Sequence, residues 1–185
     1  MDALQPGHFW KTPFFWEPGC AEPPSKAALA FEPIADHWLH DAVAQVMAAS
    51  FDESDRYAVR ESGARTAATE LLAIAPEYFE LRPNLWRVAR NAEGLEVGFV
   101  LPVLLRGEKA GKYGKPEGTI FYMGVLPQFR GNGDSRELLA EATRIFIEAG
   151  CWRIFCDTGS MNQPMINAFR VAGYMERSPR QRPLK

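Results

Sequence analysis

The run V-L-P-Q-F-R-G-N-G, Val125 to Gly133, decides how this chain is read. Ahead of it, Thr119 to Val125 reads as a strand. Behind it, Asp134 to Ala149 carries Leu138, Leu139, Ala142, Ile145, Phe146 and Ala149 at helical spacing. A strand that turns through glycines into a helix offers backbone N–H groups at the positive end of the helix dipole, which suits an anionic phosphate. Arg130 adds a formal positive charge. Gly131 and Gly133 let the main chain approach a ligand without Cβ obstruction. The same glycines would also serve a tight turn that binds nothing.

Working outward, Ala27 to Pro33 reads as a first strand and Ile34 to Ser50 as a helix capped by Asp36, with His37 and His40 in its first turns. The stretch Phe51 to Arg56 reads as a polar break, and Tyr57 to Ala75 as a second helix weakened by Gly63 and ended by Pro76. Strands at Leu85 to Arg90 and Val97 to Leu105 are joined by N-A-E-G, and Glu96 opens the second of them. The glycine-rich connection Arg106 to Gly118 lacks the G-x-x-x-x-G-K-[ST] pattern of a P-loop. Beyond the central helix come a strand at Trp152 to Cys156, a helix at Asn162 to Val171 closed by Gly173, and short terminal strands near Tyr174 to Arg177 and Gln181 to Leu184. The order β-α-α-β-β-β-α-β-α-β predicts an α/β (α+β) domain with a mixed sheet and helices on both faces. An early G-x-G-x-x-G and the regular βα alternation of a Rossmann domain are both missing.

At 185 residues and 46% hydrophobic composition, the chain suits one domain with a sizeable core. Residues 1–26 stand apart as an extension rich in aromatic residues and proline. Pro13, Pro18, Pro23 and Pro24 oppose regular structure there, while Phe9, Trp10, Phe14, Phe15 and Trp16 are too apolar for a solvated tail. The extension is expected to lie across its own domain, 27–185; a pocket wall or a homodimer interface are the alternatives. With 21 basic and 23 acidic residues the net charge is -2, which argues against a nucleic-acid or membrane-surface partner. No apolar run is long enough for a membrane span. Cys20, Cys151 and Cys156 lack metal-ligand spacing and fit a reducing cytoplasm.

Gln128-Phe-Arg-Gly-Asn-Gly133 resembles the Q/R-x-x-G-x-G/A motif of the GNAT superfamily of N-acetyltransferases. Asn162, Met165, Phe169, Gly173 and Tyr174 match a second signature of that family. The resemblance covers Ala27 to the C-terminus. It implies acetyl-CoA as acyl donor, with the pyrophosphate held by backbone N–H groups of Arg130, Gly131, Asn132, Gly133 and Asp134, and with Gln128 and Phe129 nearby. It further implies that the strand carrying Val125 splays from its neighbour, that Gly124, Val125 and Leu126 pair with the pantetheine arm, and that Asn162 contacts it. Where many members have a tyrosine that protonates the departing thiolate, this chain has Phe169, which has no proton to give. The implied reaction is direct attack on the thioester by the neutral amine of a small or amino-acid-like acceptor. Tyr122, Glu117 and Glu96 are the candidate bases. Two other readings stay open: a non-catalytic acyl-CoA-binding protein, and a protein or peptide N-acetyltransferase. The substrate side of the fold is expected near Asp52 to Tyr57 and Ser178 to Pro183, where the acidic patch at 52–55 favours an amine.

Overall fold

The computed structural model describes residues 4–26, 28–34, 36–106 and 114–184, without the side chains at 36 and 37. The expected Asp36 cap, His37 and most of the glycine-rich connection at 106–118 therefore lie outside the described residues. In chain order the elements are β1 (His8–Trp16), β2 (Ala30–Pro33), α1 (Asp36–Ala48), α2 (Glu53–Ser62), α3 (Ala64–Leu72), β3 (Phe79–Glu80), β4 (Arg87–Arg90) and β5 (Glu96–Leu105). There follow β6 (Glu117–Val125), α4 (Asp134–Glu148), β7 (Arg153–Gly159), α5 (Gln163–Val171), β8 (Met175–Glu176) and β9 (Arg180–Pro183).

One sheet runs β2-β4-β5-β6-β7-β1-β8, with β3 added on β5 and β9 on β1. Among these strands, as described, β6 and β7 pair in parallel and the rest pair antiparallel. The stripe of α4 expected from its spacing is buried: Leu138, Leu139, Ala142, Ile145 and Phe146 face one side of the sheet together with Ile166 and Phe169 of α5. Leu39, Val43 and Met47 of α1 and Ala67 and Ala68 of α3 cover the other side, against Phe99 and Leu101.

Two expectations are corrected here. The aromatic extension is not irregular: its residues 8–16 form an interior strand, paired to β7 on one edge and to β8 and β9 on the other. Pro13 is tolerated because its carbonyl accepts from the Arg177 N–H, in the gap between β8 and β9. A strand residue's N–H and C=O point to the same edge, so the missing proline N–H falls in that gap. Alternation puts Phe14 and Trp16 into the same core, and Phe9, on the opposite face, is buried as well. The second correction concerns Phe51 to Arg56. Asp52 caps α2, which starts at Glu53, and Gly63 separates α2 from α3, so one expected helix is two.

Proline also shapes the centre of the sheet. Leu101 pairs with Tyr122 but Pro102 pairs with Ile120, which leaves Phe121 as an extra residue on β6. This bulge lets both Phe121 and Tyr122 pack toward the α1–α3 layer. Among the described residues no helix is long and apolar enough to cross a membrane.

Candidate active site

The parallel pairing of β6 and β7 stops early. Glu117, Gly118 and Thr119 pair with Arg153, Ile154 and Phe155, and nothing beyond them pairs. Past Phe155, β7 keeps its ladder to β1 out to Gly159, while β6 keeps its ladder to β5 out to Val125. The two strands therefore open into a V. Its closed end is tied by the buried Glu117 carboxylate, which accepts from Arg153 Nε at 2.8 Å. A cavity of about 680 Å³ fills the opening and is lined by residues of the glycine loop, β6, β7, α5 and the N-terminus of α2.

Gly131 and Gly133 adopt φ +95° and +87°, which side-chain-bearing residues avoid, and a Cβ at either would meet nothing within 4 Å. Their conformation, not crowding, is what requires glycine. Gly133 caps α4, and the amides of Gly131, Asn132 and Gly133 find no acceptor among the described residues. Asn132 Nδ2 donates to the Phe129 carbonyl at 3.2 Å and braces the turn.

At α2 the cavity becomes acidic. Asp52 accepts from Ser54 N at 3.0 Å, Ser54 Oγ at 2.6 Å and the Gly159 amide at 2.6 Å. A Cβ at Gly159 would stand 2.2 Å from Glu53 Oε2, the movable end of its side chain, and 3.1 Å from Asp52 Cγ, so a side chain there would displace Glu53 and press on Asp52. From β1, Lys11 Nζ reaches Asp52 Oδ2 at 3.1 Å and Asp157 Oδ1 at 3.7 Å, and Arg180 Nη2 reaches Asp157 Oδ2 at 3.1 Å. Burial opposes the charge of both Lys11 and Asp52. The mutual attraction and the hydrogen bonds outweigh it, so the Lys11 pKa is raised and the Asp52 pKa lowered.

Asp55 differs. Its Oδ2 accepts from Ser50 Oγ at 2.6 Å and Tyr122 Oη at 2.8 Å, while Oδ1 takes no hydrogen bond from the described residues. It is buried and has no cationic partner among them. Burial, helped by the Asp52 charge, raises its pKa. Tyr122 is affected more strongly: burial and the Asp55 carboxylate push its phenol well above the usual value.

The acetyltransferase (GNAT) family model matches residues 82–174. The chain belongs to the GNAT acetyltransferase family. A mycothiol acetyltransferase of Propionibacterium freudenreichii subsp. shermanii is 28% identical over 139 residues, which cover 75% of this chain and 42% of that protein. The chain thus spans less than half the length of this curated relative. A GCN5-related N-acetyltransferase from Sphaerobacter thermophilus superposes with a TM-score of 0.54 at 14% identity, covering 96% of this chain and 52% of that one. An aminoglycoside N-acetyltransferase solved with CoA superposes at 0.52 and 18% identity, covering 84% of this chain and 93% of that one. At these identities the two structures show a shared fold.

Within the GNAT frame the structure brings together only part of the expected site. Gly124, Val125, Phe129, Arg130, Gly131, Gly133, Asp134, Asn162, Phe169 and Tyr122 line the cavity. Gln128 is exposed and does not line it, and the Leu126 amide is taken by the Val97 carbonyl at 2.8 Å. Arg130 does not point a free guanidinium outward: Nε donates to the Val125 carbonyl at 3.1 Å and Nη1 to the Ala49 carbonyl at 2.6 Å, which ties the loop to the end of α1. Asn162 caps α5 by accepting from Met165 N, and its Nδ2 donates to Thr158 Oγ1. Phe169 stacks on Phe14 of β1 with centroids 4.7 Å apart.

Two expected bases lie elsewhere. Glu117 is the tie at the closed end of the V, and Glu96 pairs with Arg90 at 2.7 Å; neither lines the cavity. Tyr122 lines the cavity, and its hydroxyl donates to Asp55 Oδ2 at 2.8 Å. Asp55, which the sequence reading placed only within an acidic patch, is the further carboxylate that the structure brings to the cavity. Its signal was present in the spacing Asp52-x-x-Asp55, a cap followed by an acid one helical turn later.

Proposed function

We propose that this chain catalyses N-acetyl transfer from acetyl-CoA to a primary amine, with Asp55 as the group that receives the amine's proton. The residues fit the donor. Loop amides without acceptors among the described residues stand at the start of α4, where phosphate is favoured, and the inner edges of β6 and β7, unpaired among those residues, leave room for an extended arm. When bound, acetyl-CoA supplies an activated thioester. Everything else falls to the protein.

One observation carries the reading: a buried carboxylate with one oxygen held by two hydroxyls and the other left open, in the same cavity as the glycine loop. A carboxylate with a raised pKa is, once ionised, a stronger proton acceptor than an ordinary one. The Asp52–Lys11–Asp157–Arg180 chain fixes the mouth of β7 beside it. Cys156 also lines the cavity, but burial pushes its thiol up to about 12, so it stays protonated and offers no covalent relay. Phe169 supplies an apolar wall and no proton, so release of the thiolate relies on the acidity of the thiol itself.

Release of free CoA thiol from acetyl-CoA, measured across a set of primary amines, tests the reading. Amine-dependent release is expected. Tight acetyl-CoA binding with no amine-dependent release would leave a binding protein and remove the catalytic claim.

A further inference from the structure

The charges around the cavity do not balance, and the imbalance says what the acceptor carries. Asp52 and Asp157 are matched by Lys11 and Arg180. Asp55 has no ion pair within 4 Å among the described residues and feels the Lys11 charge only at longer range, and its Oδ1 is open. An ionised carboxylate under this burial gains most from a cation that brings its own hydrogen bonds. Arg130 is the lining cation without a carboxylate partner among the described residues, and it stands in the glycine loop, clamped to two carbonyls. A carboxylate on the carbon next to the acceptor's amine would be brought against Asp55 and Asp52, where Lys11 is already held by Asp52 and Asp157 and Arg130 is held by two carbonyls.

The remaining wall on this face is apolar. Leu71, Phe79, Leu105 and Phe121 line the cavity on the α1–α3 side of β6, away from the opening between β6 and β7, and Phe51 joins them. The rings of Phe79 and Phe121 meet edge to face at 5.5 Å. This surface would strip water from a hydrocarbon or aromatic body.

We propose that the acceptor is a primary amine on an apolar body with no carboxylate beside the amine, its ammonium received by Asp55 Oδ1 and its body by the Phe51, Leu71, Phe79, Leu105 and Phe121 wall. The proposal rests on the acetyl-transfer reading and narrows it: α-amino acids are excluded, and apolar monoamines are admitted.

Phenethylamine, phenylalaninamide and phenylalanine separate charge from size. Each is titrated calorimetrically into the full chain loaded with CoA, and each is assayed for thiol release with acetyl-CoA. Phenethylamine and phenylalaninamide are expected to bind and turn over within about tenfold of one another. Phenylalanine should be weaker by about 100-fold, the order supplied by like charges about 5 Å apart at an effective dielectric near 20. In Asp55→Asn the binding discrimination should shrink to under about tenfold. Equal or better binding of phenylalanine, or no binding of any of the three, overturns the proposal. The expected binding order without thiol release upholds the acceptor class and overturns the acetyl-transfer reading instead.

Discussion

Replacing Asp55 by Asn separates chemistry from architecture. The amide oxygen of Asn can still accept from both Ser50 and Tyr122, which now sit 2.6 and 2.8 Å from one carboxylate oxygen. What disappears is the basic oxygen and a buried negative charge. Loss of a positioned general base lowers kcat/KM by about 10²- to 10⁴-fold, or about 3–5 kcal/mol of barrier. Stability should move the other way or not at all. Burial, reinforced by Asp52, raises the native Asp55 pKa above its unfolded value, so the folded state holds the proton more tightly than the unfolded one. Stability from this group is full below the unfolded value, about 3.9, and is lost as pH rises through the native pKa. At neutral pH the variant should therefore unfold at the same temperature as the parent or higher. Activity has the opposite pH dependence, because Asp55 must be ionised to receive a proton: the rate of the parent rises through the native pKa, above the ordinary carboxylate range. The assay is kcat/KM for a saturating donor between pH 4 and 9, paired with thermal unfolding. Wild-type activity in Asp55→Asn, or an acid limb that persists in it, would refute the reasoning.

Further outcomes follow from other contacts. Lys11→Met strands the buried Asp52 and should cost about 3 kcal/mol in denaturant unfolding. That loss should be greatest between about pH 4 and pH 10, because Asp52 contributes above its unfolded pKa and Lys11 below its own. Gly133→Ala, at φ +87° with open space around the new methyl, should lose about 1–2 kcal/mol from backbone strain alone. Its affinity for acetyl-CoA by calorimetry should fall as well; unchanged affinity would remove the loop from the donor site. Arg153→Met takes the arginine from a buried Glu117 and should cost about 3–5 kcal/mol. Removal of residues 1–16 should yield an unfolded or aggregated chain by circular dichroism, not a trimmed domain, because β1 is interior to the sheet.

The sequence made legible what depends on local spacing. The glycine loop, the buried stripe of α4, and Asn162 at the start of α5 all follow from residues within a few turns of one another. What it hid depends on distant partners. Prolines and clustered aromatics spoke against a strand at 8–16, and only the ladders to 154–159 and 180–183 make one there. Glu117 and Glu96 sit on suitable strands, but Arg153 and Arg90 claim them, one from 36 residues away. Asp55 became visible only when α2 began at Glu53 and turned that carboxylate under Tyr122 from β6. A polar run such as D-E-S-D reads as solvated until the fold shows what covers it.

The placement of β1 has a consequence for how the protein is made. Its neighbours in the sheet are β7, β8 and β9, and the two ends of the chain meet where the Leu184 amide donates to the Gly7 carbonyl. Within this fold the ribosome therefore releases the aromatic strand well before the strands that shelter it. For nearly the whole of synthesis Phe9, Phe14 and Trp16 have no partner strand to bury them. Closing the sheet joins segments more than 130 residues apart, a slow step by loop-closure entropy, during which this strand is open to mispairing. Once β7 and β9 arrive, the same residues are locked into one edge of the fold.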